Sequence, residues 1–175
     1  MNHSATKRLV LAGFFLALGL LMPFLTLQIP SVGSRLLPMH IPVLLGGFVL
    51  GGPLGLVIGF VTPLLRSIIF GLPPQFPTAF IMSFELATYG LLAGVVYRLL
   101  SKDVLSVYAS LIIAMIGGRV VWGAVSFFVH GLSGTVFSWK MFTAGAVVNA
   151  LPGIILQIVI IPVIVLALRR AKHID

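Results

Sequence analysis

Only a few charged or hydrogen-bonding side chains lie inside the long apolar stretches of this sequence. Glu85, in the stretch MSFELATYG, is one of only three acidic residues in the chain, while Arg66 and Arg119 are basic residues in other apolar stretches. One carboxylate cannot neutralise two guanidinium groups. The sequence therefore leaves two roles open for Glu85: a structural ion pair with Arg66 or Arg119, and a place in a binding site for a small molecule.

Aromatic and polar side chains accompany these charges. Helical spacing puts Tyr89 on the face of Glu85 and Trp122 on the face of Arg119. Small-molecule pockets combine apolar and aromatic walls with a few placed polar groups. The sequence predicts an outward-facing pocket of this kind, lined by Arg66, Glu85, Tyr89, Arg119, Trp122 and Asn149, with His40 as a further candidate contact.

The sequence contains little that indicates a catalytic or metal-binding site. No carboxylate or second histidine stands at metal-ligand spacing from His40 or His130. The G-x-x-x-x-G-K-[S/T] phosphate loop, the G-x-S-x-G elbow and the H-E-x-x-H zinc motif are all missing from the sequence. We therefore expect no catalytic residue, metal or cofactor. An intramembrane enzyme using Glu85 and His130 stays open as an alternative, as does an independent ion-coupled carrier.

The composition identifies the environment of these residues. Charged residues are 8% of the 175, hydrophobic residues are 59%, and the mean hydropathy is +1.20. Soluble domains carry about 25% charged residues, so lipid must solvate most of this surface. The formal net charge of +8 comes from basic residues that stand mainly at the ends of apolar runs. That distribution indicates membrane orientation and not nucleic-acid binding.

The apolar runs predict an all-α membrane protein, a six-helix transmembrane bundle formed by one domain, residues 1–175. A spanning helix needs about 20 apolar residues. The predicted helices cover approximately residues 9–27, 41–51, 53–70, 79–99, 105–129 and 142–168, and residues 28–40 are predicted to be a loop.

Six spans place both termini on one side, and the positive-inside rule assigns that side to the cytoplasm. Only Arg35 and Lys140 fall on the opposite side. The predicted cytoplasmic set is Lys7, Arg8, Arg98, Lys102, Arg169, Arg170 and Lys172. In this orientation Glu85 lies about 9 Å below the outer end of its helix, at a depth similar to Asn149.

Long stretches of the chain resemble a known family. They are LLPMHIPVLLGGFVLGGPLGLVIGFVTPLL at 36–65, GLPP at 71–74, FELATYGLLAGVVYRLL at 84–100, GRVVWG at 118–123 and NALPGIILQIVIIPVIV at 149–165. They resemble the substrate-binding S components of energy-coupling factor (ECF) vitamin transporters of prokaryotic cell membranes. The resemblance implies six helices with cytoplasmic termini and vitamin capture near the outer surface.

The resemblance also implies partners. In the family an S component docks on a transmembrane T component that carries two ATPase subunits, and these use ATP. Gly13 and Ala17 match the small-residue motif that contacts the T component, although Gly13 departs from the usual alanine. The ligand stays open: two arginines suit a carboxylate such as pantothenate, while Tyr89 and Trp122 suit a pyridoxine-like or cobalamin-precursor ring.

Overall fold

The structure, a computed structural model, describes residues 5–27, 29–101 and 103–171, and over these residues it contains helices and no strand. Lys102 and Lys172 of the predicted cytoplasmic set lie outside the described residues. The α-helices are α1 Ala5–Leu21, α2 Pro30–Leu36, α3 His40–Leu50, α4 Gly52–Phe70, α5 Phe80–Leu99, α6 Val104–Leu132, α7 Trp139–Thr143 and α8 Leu151–Arg170.

Six segments are long and apolar enough to cross a membrane. They are Ala5–Thr26, Ser31–Leu50, Gly52–Phe70, Gln75–Leu99, Val104–Leu132 and Trp139–Arg170. The prediction of an all-helical protein with six spans is therefore confirmed. The side on which the termini lie stays a prediction.

The second span differs from its prediction. Residues 28–40 were expected to form a loop, but they contain α2, and this short helix supplies the length that residues 41–51 lack. Pro30 stands at the start of α2, where proline is tolerated because the first N–H groups of a helix have no intrahelical partner. Leu37 ends α2 in a left-handed conformation, with its N–H bonded to the Gly33 carbonyl at 2.9 Å.

The sixth span is interrupted, whereas the sequence predicted one continuous helix over 142–168. A wide turn follows α7, in which the Asn149 N–H donates to the Ala144 carbonyl at 2.9 Å. A new helix, α8, begins at Leu151 with Pro152 in its first turn. Because proline lacks the N–H that a continuous helix needs at this point, the break falls beside Asn149.

Glycines bring α4 and α5 into backbone contact. A Cβ on Gly90 would overlap the Gly55 carbonyl, and a Cβ on Gly59 would overlap the Leu86 carbonyl. Small residues allow helices to approach this closely inside a membrane. The α4–α5 pair therefore forms a tight support that fixes the height of Glu85 in α5.

Candidate functional site

A pocket of about 510 Å³ opens among the helices, and all six candidate spans contribute to its lining. Its volume is within the range of about 300–1,000 Å³ typical of small-molecule sites. Of the seven predicted site residues, the six that line it are His40, Arg66, Glu85, Arg119, Trp122 and Asn149. The sequence prediction that these side chains converge agrees with this geometry, while contact with a substrate stays a prediction.

Glu85 holds the centre of the charge arrangement. Its Oε1 lies 2.8 Å from Arg119 Nη1 and 3.5 Å from His40 Nε2, and the Glu85 side chain is only 2% exposed. A buried carboxylate in a membrane is costly unless a cation compensates it. Arg119 of α6 is that cation, which selects one of the two ion pairs that the sequence left open.

Arg119 pairs with Glu85 by charge through Nη1, while Glu85 Oε1 has no hydrogen-bond partner among the described residues. A guanidinium group carries five N–H donors in a rigid fork. In the described residues Arg119 Nε and Nη2 are buried without a hydrogen-bond partner, although the side chain is 12% exposed and lines the pocket. Buried donors in native proteins are normally satisfied. A carboxylate that reaches Nε and Nη2 would satisfy both of these donors.

Arg66 contributes the second positive charge at the wall. Its Nη1 donates to the Leu20 carbonyl of α1, and its guanidinium carbon lies 5.2 Å from the ring centres of both Phe24 and Phe70. Cation–π contacts within about 6 Å are attractive, and more so when the cation is desolvated. These contacts connect the end of the first span to the end of α4 and hold Arg66 at the pocket.

His40 lies deeper than a loop residue would. The sequence predicts it at the end of the loop 28–40, but His40 begins α3 and is only 1% exposed. Its ring packs edge to face against Tyr89, with ring centres 5.1 Å apart. In the described part of the chain neither ring nitrogen has a hydrogen-bond partner within bonding geometry. His40 is thus a second pocket residue with unused polar atoms.

Tyr89 packs against the pocket residue His40 without lining the pocket itself. It is fully buried and is the predicted site residue that does not line the pocket. Its ring fills the space beside Gly118 of α6, where a Cβ would come within 2.8 Å of it. The predicted place of Tyr89 in the pocket wall is therefore not what the structure shows: Tyr89 lies one turn beyond Glu85, with its ring against that of His40.

Aromatic rings connect Trp122 to the loop that follows α6. The Trp122 ring centre lies 5.8 Å from that of Phe137 and 6.1 Å from that of Phe142. The His130 ring also packs on Phe137, at 5.4 Å, and His130 does not line the pocket. Trp122 therefore lines the pocket on one side and packs against the loop after α6 and against α7 on the other.

Small and polar residues at positions 145, 149, 153 and 157 of the last span fall on both sides of its helix break. Gly145 and Asn149 line the pocket. Gly153 instead packs against the α2 backbone, where a Cβ would lie 2.7 Å from the Arg35 carbonyl. Gln157 is fully buried, and within the described residues neither of its amide atoms has a hydrogen-bond partner.

Several parts of the pocket lining were not predicted from the sequence. Pocket residues also come from α2 and the turn after it, including Gly33 and Met39, and from the Leu72–Pro74 turn and Met82. Pro73 and Pro74 lie between the predicted helices 53–70 and 79–99, and the predicted pocket does not include them. A proline-rich turn next to a charged helix end was the available signal for a pocket rim.

Gly13 and Ala17 lie away from the pocket. Both are exposed on α1, and nothing stands within 4 Å of the position that a Gly13 Cβ would occupy. In a membrane this face is open to lipid or to another subunit. Within the described residues no group of three or more histidine, cysteine, aspartate or glutamate side chains could hold a metal ion.

Fold and site together define a class: a multi-pass membrane protein with a pocket of small-molecule size among its helices. The family model described as ECF transporter, substrate-specific component, matches residues 7–165, and the chain belongs to this family. Its members are transport subunits and not enzymes, and they work with T and ATPase components. Comparisons with curated proteins and with solved structures gave no match.

Proposed function

We propose that this S component captures a carboxylate-bearing vitamin or vitamin precursor, of which pantothenate is an example, in the pocket beside Arg119. The observation that carries the proposal is the unused edge of Arg119. Glu85 faces Nη1, while Nε and Nη2 are buried without a partner in the described part of the protein. Arginine binds carboxylates in a bidentate, charge-assisted manner.

The charge balance of the pocket supports an anionic ligand. Its lining includes two arginines and one glutamate, which gives one excess positive charge when His40 is neutral. Trp122, Met39 and Met82 offer apolar contacts to the rest of the ligand. A pyridoxine-like or benzimidazole-type ring lacking a carboxylate would use Trp122 but leave the Arg119 donors unsatisfied.

Delivery follows from the family. We propose that the loaded protein docks on a T component with two ATPase subunits, through the α1 face that contains Gly13 and Ala17, in a prokaryotic membrane with both termini cytoplasmic. The exposed small side chains on α1 permit close approach of another helix. ATP is used by the partners, so this chain needs no cofactor.

The test is a binding measurement on the purified chain. Small molecules that copurify are identified by mass spectrometry, and titrations compare pantothenate, pyridoxine and a benzimidazole with wild type and Arg119→Gln. Each charge-assisted hydrogen bond contributes about 1.5–3 kcal/mol, so losing two should weaken carboxylate binding at least about a hundredfold. The matched control is Arg35→Gln, an exposed arginine that is not part of the pocket lining.

Each other outcome identifies an alternative. Preference for pyridoxine or the benzimidazole, with Arg119→Gln equal to wild type, would contradict the carboxylate assignment. Turnover of a compound without saturable binding would favour the intramembrane enzyme. Uptake into liposomes by this chain alone, without ATPase partners, would favour an ion-coupled carrier.

A further inference from the structure

Two arginines from different helices meet at the C-terminal end of α3. This end is opposite His40, the α3 residue that lines the pocket. Arg8 of α1 and Arg98 of α5 each donate from Nη2 to the Leu50 carbonyl, both at 2.9 Å. Gly51 follows with φ of 92°, and a Cβ there would overlap the Arg98 guanidinium. The glycine therefore leaves the space into which Arg98 fits, and the pair has a defined position.

The two guanidinium groups share one neutral acceptor. Their described contacts are these two hydrogen bonds to Leu50, and the ion pairs described for the chain belong to Glu85. Two like charges so close repel each other, and an anion between them relieves the repulsion. Most of the ten N–H donors of two guanidinium groups also remain for such an anion.

The surroundings indicate what carries the anion. Four spans begin or end at these residues, since the first starts at Ala5, the second ends at Leu50, the third starts at Gly52 and the fourth ends at Leu99. Leu9 and Leu99, next in sequence to the two arginines, are 70% and 78% exposed. A soluble anion gains nothing from these leucines, whereas a phospholipid places its phosphate on the charges and its acyl chains along the apolar side chains.

We propose that Arg8 and Arg98, with the Leu50 carbonyl between them, form a binding site for the phosphate group of an anionic phospholipid. The site is independent of the pocket and of the ligand proposed for it. Anionic headgroups commonly bind basic clusters at the ends of transmembrane helices. Here the cluster is built across α1, α3 and α5, so a bound lipid contacts the helix that carries Glu85.

The test uses the full-length chain, delipidated in detergent, with short-chain phosphatidylglycerol, short-chain phosphatidylcholine and inorganic phosphate as three separate titrants. Native mass spectrometry measures the lipid bound. We expect wild type to prefer phosphatidylglycerol over phosphatidylcholine by about tenfold or more, from two arginines at about fivefold each. Arg98→Gln should lose about fivefold and Arg8→Gln/Arg98→Gln most of the preference. Arg170→Gln, an exposed arginine at the end of α8, is the matched control and should keep it.

Equal affinity of wild type for the two lipids would overturn the proposal, and that comparison needs no variant. Equal losses in Arg98→Gln and Arg170→Gln would show general charge attraction instead of a site. If inorganic phosphate binds as tightly as phosphatidylglycerol, the site takes a free anion and the lipid assignment is wrong. Arg98→Gln leaves Arg8 on the Leu50 carbonyl, and an unchanged size-exclusion profile verifies that it is folded.

Discussion

Replacing Glu85 by glutamine tests the charge arrangement at the centre of the pocket. The substitution keeps the shape of the side chain and removes the charge that lies 2.8 Å from Arg119. Removing one partner of a buried ion pair costs about 3–5 kcal/mol. Because Arg119 is 12% exposed to the pocket, we expect about 3 kcal/mol, the lower end of that range. For a chain of this length each kcal/mol lowers the melting temperature by about 2–4 °C, so the expected loss is about 6–12 °C.

A double-mutant cycle separates the ion pair from general damage to the site. The cycle compares Glu85→Gln, Arg119→Gln and the double variant by thermal unfolding in detergent, followed by helical circular dichroism. The double variant leaves no uncompensated charge, and we expect it to melt within about 4 °C of wild type. Arg35→Gln, the exposed control, should change the melting temperature by about 2 °C or less. If the losses of the two single variants add up in the double variant, Glu85 and Arg119 are not coupled and the assignment is wrong.

Ligand binding by the same variants distinguishes a framework role for Glu85 from direct contact. The proposed ligand carboxylate uses Arg119 Nε and Nη2, which Glu85 leaves unoccupied. We therefore expect Glu85→Gln to weaken ligand binding by less than about tenfold, while Arg119→Gln weakens it at least about a hundredfold. Equal losses in the two variants would indicate that the ligand also contacts Glu85.

Three further predictions concern packing, docking and pH. Gly90→Ala should lower the melting temperature, since overpacking costs about 1–3 kcal/mol. Gly13→Ala, which has open space around the new Cβ, should leave the melting temperature unchanged or raise it. Equal effects of the two substitutions would contradict the close α4–α5 contact. Ala17→Leu, on the exposed face of α1, should prevent copurification with the T and ATPase components while ligand binding stays at the wild-type level, and wild-type copurification would refute this docking face. Hydrogen bonds from the Ser106 hydroxyl and N–H lower the pKa of Asp103. The ionised carboxylate therefore stabilises α6 fully when the pH is above the unfolded-state pKa of about 3.9. This stabilisation is lost as the pH falls through the lower pKa of the folded state. The difference in melting temperature between wild type and Asp103→Ala should therefore narrow below about pH 4, and a difference that widens there would contradict the sign.

The six spans could be predicted from the sequence because their cause is composition. With so few charges, each long apolar run has to lie in lipid, and the bounds of the third span, predicted as 53–70, differ from Gly52–Phe70 by one residue. The gathering of Arg66, Glu85, Arg119 and Asn149 could be predicted for a related reason. Polar groups inside a membrane protein avoid lipid and face each other, so helical spacing and depth were sufficient.

The sequence could not predict which arginine pairs with Glu85 or how deeply His40 is buried. Both depend on how the helices pack against one another, which no periodic pattern in the sequence records. Arg66 and Arg119 are equivalent by composition, and only the folded chain places Phe24, Phe70 and the Leu20 carbonyl around Arg66. His40 follows Pro38, which is a loop signal in the sequence, and Leu37, whose left-handed conformation is visible only in the structure. The same residues instead turn the chain from α2 into α3.

One stripe of α4 shows how packing away from the pocket affects the residues that line it. Gly55, Gly59, Thr62 and Arg66 share a helix face, but only Arg66 lines the pocket. The two glycines lie against the α5 backbone, and Thr62 turns its hydroxyl to the Ile58 carbonyl at 2.6 Å. Arg66 is on α4 and Glu85 is on α5. The close backbone contact between these two helices therefore fixes the separation of Arg66 and Glu85 in the pocket. The arrangement of the charges in the pocket therefore depends on residues outside the pocket lining.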